Sequence, residues 1–172
     1  ASWNAFDQVA AAFGGTATYN ATHTHAGSLS GHMSTPSSAQ ALLTWGTSLT
    51  AGTDVAEAWF RLYCYIAALP SRREVIWQEL PAAGFGCQLT VTPGGGLQFL
   101  DSNGATKIST TVLVGAGSWF RLEGFVIGSA SVGQLELKVF LNPDSATPDE
   151  TDTTLANVNT GGLIHTATYG ID

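Results

Sequence analysis

An all-β, antiparallel sandwich is the fold class this sequence predicts, and three observations predict it. The tetrapeptide Trp-Phe-Arg-Leu occurs twice, at 59–62 and 119–122, and each copy opens a run that alternates with the period of a strand. Turn formers recur at short intervals, from Gly14-Gly15 through Pro93-Gly94-Gly95-Gly96 to Gly161-Gly162, and leave strand-length segments between them. Composition agrees: 20 glycines, abundant Thr, Ser and Ala, and only 11% charged residues suit short strands and tight turns better than surface helices.

In chain order, strand-length segments fall at 16–20, 29–33, 41–45, 58–67, 74–79, 85–92, 97–101, 119–127, 134–141 and 164–172, and only 5–13 has a weak helical character. In 58–67 the alternation puts Phe60, Leu62, Cys64 and Ile66 on one face and Trp59, Arg61, Tyr63 and Tyr65 on the other. In 119–127 Phe120, Leu122, Gly124 and Val126 form the apolar face, and Arg121, Glu123 and Phe125 follow Trp119 on the opposite one. Segment 85–92 sets Phe85, Cys87, Leu89 and Val91 on one side. Segment 97–101 is one arm of a hairpin, because Asn103-Gly104 supplies the positive φ angles of a type I′ turn. The stretch 142–159, with Pro143, Asp144, Pro148, Asp149, Glu150 and Asp152, lacks periodicity and reads as a surface loop. The 172 residues fit one domain, 1–172, able to bury a continuous core without metals or disulfides.

Six Lys and Arg against thirteen Asp and Glu give a formal charge of −7, which leaves no basic footprint for nucleic acid or anionic lipid. No apolar run approaches the ~18 residues a bilayer span requires, so membrane insertion is not expected. Cys64 and Cys87 are too few for a disulfide framework and are either free or paired. With no initiator Met and no signal or transit peptide, the chain reads as processed or cut from a longer polypeptide.

Trp59, Arg61, Tyr63, Tyr65, Arg121, Glu123 and Phe125 form the candidate ligand face. Aromatic rings stack on the apolar faces of sugars, and guanidinium and carboxylate groups bond hydroxyls with fixed geometry. The same residues would equally serve as packing beneath a loop or at a homo-oligomeric contact, with Arg61 or Arg121 paired to Glu123. Trp3, Trp45 and Trp77 are expected in the core or at an interface. His23 and His25, with His32 nearby, are either surface residues of a Thr-rich hairpin or part of a metal site. A glycosidase needs two carboxylates at a set separation, and no E-x-D-x-x-E or E-x-D-x-E run occurs; Glu150 and Asp152, the nearest pair, fall in the predicted loop. No G-x-S-x-G elbow for a Ser-His-Asp site is present either.

Several segments resemble the concanavalin A-like, or LamG-like, jelly-roll superfamily: the turn and strand His25-Ala26-Gly27-Ser28-Leu29, the strand Leu97-Gln98-Phe99-Leu100-Asp101 followed by Gly117-Ser118-Trp119-Phe120-Arg121-Leu122-Glu123, and the closing Tyr169-Gly170-Ile171-Asp172. The run from Gly133 to Asp144, with its continuation Asn-Pro-Asp-Ser-Ala-Thr-Pro-Asp-Glu-Thr, resembles LamG-like domains in tail and other virion proteins of actinobacterial phages. The resemblance implies a sandwich with one concave sheet and glycan or surface binding. It also implies catalysis only where the acid residues are present, so the chain is expected to be a non-catalytic module without hydrolase or lyase activity. Its expected setting is a phage virion surface, capsid or tail, with host-surface glycan or other virion proteins as partners. The alternatives are a purely structural virion component and a carbohydrate-binding module of a secreted, extracellular bacterial protein. No cofactor is required; relatives that hold structural calcium between the first and last strands make Asp7 and Asp172 candidate ligands.

Overall fold

The two Trp-Phe-Arg-Leu copies lie side by side. A computed structural model describes residues 8–36, 40–45, 53–154 and 156–171 of the chain. In it β5 (Glu57–Tyr65) and β10 (Trp119–Ile127) pair antiparallel with Leu62 opposite Leu122 and Trp59 opposite Phe125. Two antiparallel strands in this register present matching faces, so both apolar sets point the same way. Phe60, Phe120, Leu122 and Val126 are buried in the core, and the mixed aromatic and charged set lies outside.

Around this pair stand β1 (Gln8–Ala12), β2 (Thr16–Asn20), β3 (Ser30–Ser34), β4 (Gln40–Trp45), β6 (Glu74–Pro81), β7 (Gln88–Val91), β8 (Gly96–Leu100), β9 (Thr106–Leu113), β11 (Gln134–Phe140), β12 (Glu150–Thr153) and β13 (Ile164–Ile171). Among the described residues there is no helix. One sheet runs β1-β4-β13-β6-β7-β8-β9, the other β12-β11-β10-β5, and β2-β3 form a separate hairpin. Every described pairing is antiparallel. The result is the predicted antiparallel sandwich. Its two layers are locked by Phe60 of the smaller sheet, which stacks on Trp77 of the larger at 4.4 Å, while Trp77 meets Phe99 edge-on at 5.8 Å. Gly124 makes room for this: a Cβ there would sit 2.1 Å from the Phe60 ring.

Several expectations are corrected. Residues 8–12 of the predicted helical stretch form β1 instead, because pairing with β4 overrides the helix preference of the alanines there. β9 had no counterpart among the predicted strands, and β12 forms inside the predicted loop 142–159, where it pairs with β11. Phe85 precedes β7 and is exposed rather than buried. The β8–β9 turn is not type I′: Gly104 alone has positive φ, and Asp101 accepts from the Asn103 and Ala105 amides, making an aspartate-anchored turn. Cys64 and Cys87 are free thiols.

Candidate functional site

The outer face of the four-stranded sheet is built in cross-strand rows. In the first, Trp59 and Phe125 stack at 4.1 Å, and Trp59 remains 65% exposed. In the second, Arg61 Nε donates to Glu123 Oε1 at 2.8 Å, and Lys138 pairs with Glu136 at 2.9 Å alongside. The third row is Tyr63, Arg121 and Phe140, with the Arg121 guanidinium 3.7 Å from the Phe140 centroid and 6.0 Å from that of Tyr63. Tyr65 and Trp119 form the fourth, 5.6 Å apart.

All seven residues singled out from the sequence share this face, yet they are not equally available. Arg121 is 8% exposed, and its terminal nitrogens donate to the carbonyls of Pro143 and Ser145. Its Nε lies 3.2 Å from Glu123 Oε1 without hydrogen-bonding alignment. Arg121 is thus a positioning residue that pins the 142–149 turn to the sheet, which corrects its assignment as a ligand contact.

The loop between β2 and β3 covers the far rows. His23 stacks on Tyr65 at 4.1 Å, and His25 stacks on Tyr63 at 4.3 Å and meets Trp119 edge-on at 5.6 Å. His25 Nε2 also lies 3.3 Å from Asp144 Oδ1, so the loop meets the turn that Arg121 holds. Both rings lie in the loop of the β2–β3 hairpin, as the hairpin reading has it, though packed on tyrosines, and the metal-site reading is corrected, since His32 sits apart on β3. Among the described residues no three His, Cys, Asp or Glu side chains gather as a metal would need. The candidate calcium ligands Asp7 and Asp172, like Trp3, lie outside the described residues.

Two carboxyl sites were not legible in the sequence. Glu79 is wholly buried on β6, and burial pushes its pKa up to about 7 against the opposing pull of its contacts with Cys87. Glu150 and Asp152, expected in a loop, share one face of β12. Burial would raise Glu150, but bonds from the Thr111 and Val112 amides hold it below the usual range; Asp152 is raised by burial and by the Glu150 charge. On the seven-stranded sheet Gln78 lies opposite Gln88 and Gln98 opposite Ser109.

No family model and no curated protein matches the chain. Among solved structures, the chain is similar to an endo-β-1,4-glucuronan lyase from the fungus Trichoderma reesei, with a TM-score of 0.64 and 13% identity over 98% of this chain and 80% of that one. At this identity the likeness carries the fold, a concanavalin-like jelly-roll sandwich. It also corrects the expectation that the chain is no enzyme, because a polysaccharide lyase is built on the same sandwich. The missing E-x-D runs bear on acid-pair hydrolysis; elimination beside a uronate needs a base and a charge partner instead. The absence of such runs therefore leaves lyase chemistry open.

Proposed function

We propose that the outer face of the four-stranded sheet binds a glycan, with Trp59 and Phe125 as the stacking pair and Arg61 and Glu123 as the polar contacts. The observation that carries this reading is the Trp59–Phe125 stack: a large ring pair on the outer sheet face with Trp59 left open, beside an ion pair able to bond hydroxyls. The glucuronan lyase fold supports a carbohydrate-related role. The sequence resemblance of 133–144 to phage tail and virion domains supports a virion surface as the setting, which mass spectrometry of purified particles tests.

The binding test is calorimetry of wild type, Trp59→Ala and Phe125→Ala against cello-, chito- and glucuronate oligosaccharides. Loss of one stacking ring is expected to weaken binding by about 1 kcal/mol, roughly fivefold. A folded wild type that binds none of them, or variants that bind as well as wild type, would overturn the reading.

One observation favours a second reading, elimination on a uronide. His25 lies between Asp144 and Tyr63, one row from the Arg61 guanidinium, which places potential bases beside a cation. Incubation with glucuronan, followed by ultraviolet absorbance of unsaturated ends, decides it: activity lost in both Tyr63→Phe and His25→Ala supports elimination, and no absorbance change with folded protein dismisses it.

A further inference from the structure

Resting on the glycan-binding reading, we propose that Tyr63, Tyr65 and Trp119 form a second sugar subsite, closed here by the loop between β2 and β3 acting as a lid. The imidazoles of His23 and His25 lie on the tyrosine rings at 4.1 and 4.3 Å, with interplanar angles of 21° and 23°. Near-parallel stacking at that spacing is the arrangement a sugar ring adopts on an aromatic side chain, so the chain's own rings occupy the ligand positions.

Three features make the cover displaceable. The hairpin strands pair with neither main ladder and are held to the core by Ala17 and Met33, so the part free to move is the connecting loop 21–29. That loop reaches the 142–149 turn through His25 and Asp144; the His25 side is mostly covered, but the Asp144 side chain is 76% exposed, so solvent screens the pair. Tyr63 is itself still 40% exposed under its cover. The site beneath also has somewhere to lead, since Trp119 lines a groove of about 230 Å³ with Leu113, Ser118, Phe120 and Leu141. Lifting the loop would join the Trp59–Phe125 pair, the tyrosine rows and this groove into one strip for an extended β-linked chain. The closed face offers a short ligand the Trp59 end alone.

The test compares wild type, His23→Ala/His25→Ala and Asp144→Asn with cellobiose and cellohexaose, chitobiose and chitohexaose, and glucuronate dimers and hexamers. Uncovering the tyrosines is expected to raise hexamer affinity about fivefold or more and to leave dimer affinity within twofold. Asp144→Asn, a surface change, should move in the same direction should the double variant fold poorly. Hydrogen exchange in 21–29 should rise when wild type is saturated with hexamer. Hexamer affinity that is unchanged or reduced in the folded variants, with Trp59→Ala still impairing binding, overturns the lid while sparing the glycan-binding reading; no binding of any oligomer by folded wild type overturns both.

Discussion

Glu79 and Cys87 face each other inside the sandwich, with both the Cys87 amide and its thiol donating to Glu79 Oε2 at 3.3 Å, while Glu79 Oε1 is buried without a partner. An ionised carboxylate with one bare oxygen in an apolar interior is costly, so the folded state favours the protonated acid. Raising the pKa from the ordinary 4.5 to about 7 means the folded chain binds more protons than the unfolded one between those values. Stability linked to Glu79 is therefore fully present below about pH 4.5, declines as pH rises, and is gone above about pH 7, a loss of about 3 kcal/mol. Glu79→Gln should flatten this slope and melt higher than wild type at pH 8. Urea titrations from pH 5 to 8 check it, and a parallel slope in the variant would sink the assignment.

The strand faces were legible because alternation is a local signal. Phe120, Leu122, Gly124 and Val126 report their own side of β10 whatever the rest of the chain does. β9, Thr-Lys-Ile-Ser-Thr-Thr-Val-Leu, was not, because its threonines blur the apolar side and a register shift between Phe99 and Leu100 breaks its pairing. The candidate face was legible as a set of residues but not as a surface. Whether Arg121 meets a ligand depends on the turn at 143–145, and whether Tyr63 and Tyr65 are open depends on a loop some forty residues away in sequence. Glu79 needs the β6–β7 register to bring Cys87 to it, which no single-strand pattern encodes.

Phe120 is 2% exposed and lies between the sheets, so Phe120→Ala should cost roughly 3 to 5 kcal/mol by removing buried surface and leaving a cavity. Gly124→Ala should also destabilise, for the opposite reason, since the added methyl overlaps the Phe60 ring. Thermal melts of both variants would refute the strand facing should they match wild type.

Trp59 should behave differently. Its ring is mostly in solvent and leans on Phe125 alone among the described aromatic contacts, so Trp59→Ala should shift folding stability by no more than about 1 kcal/mol while impairing glycan capture. A large drop in melting temperature would mean that this ring serves packing, and the loss of binding would no longer speak for a ligand contact.

Glu150 closes the open edge of the sandwich. From β12 its carboxylate accepts the Thr111 and Val112 amides of β9, at 2.8 and 2.6 Å, together with the Thr111 hydroxyl at 3.1 Å, and so joins the last strands of the two sheets. A carboxylate held below its usual pKa gives stability that is present above the unfolded value and lost as pH falls through the folded one, opposite in sign to Glu79. Glu150→Ala should cost about 1 to 3 kcal/mol at neutral pH, since the Val112 amide is half-buried and loses its acceptor. Asp152→Asn should be neutral or stabilising there, because it removes a like charge from beside Glu150. Amide exchange at Thr111 and Val112 reads the clasp directly: it should accelerate in Glu150→Ala and not in Asp152→Asn, and equal protection in all three proteins would show that the edge of β9 holds without it.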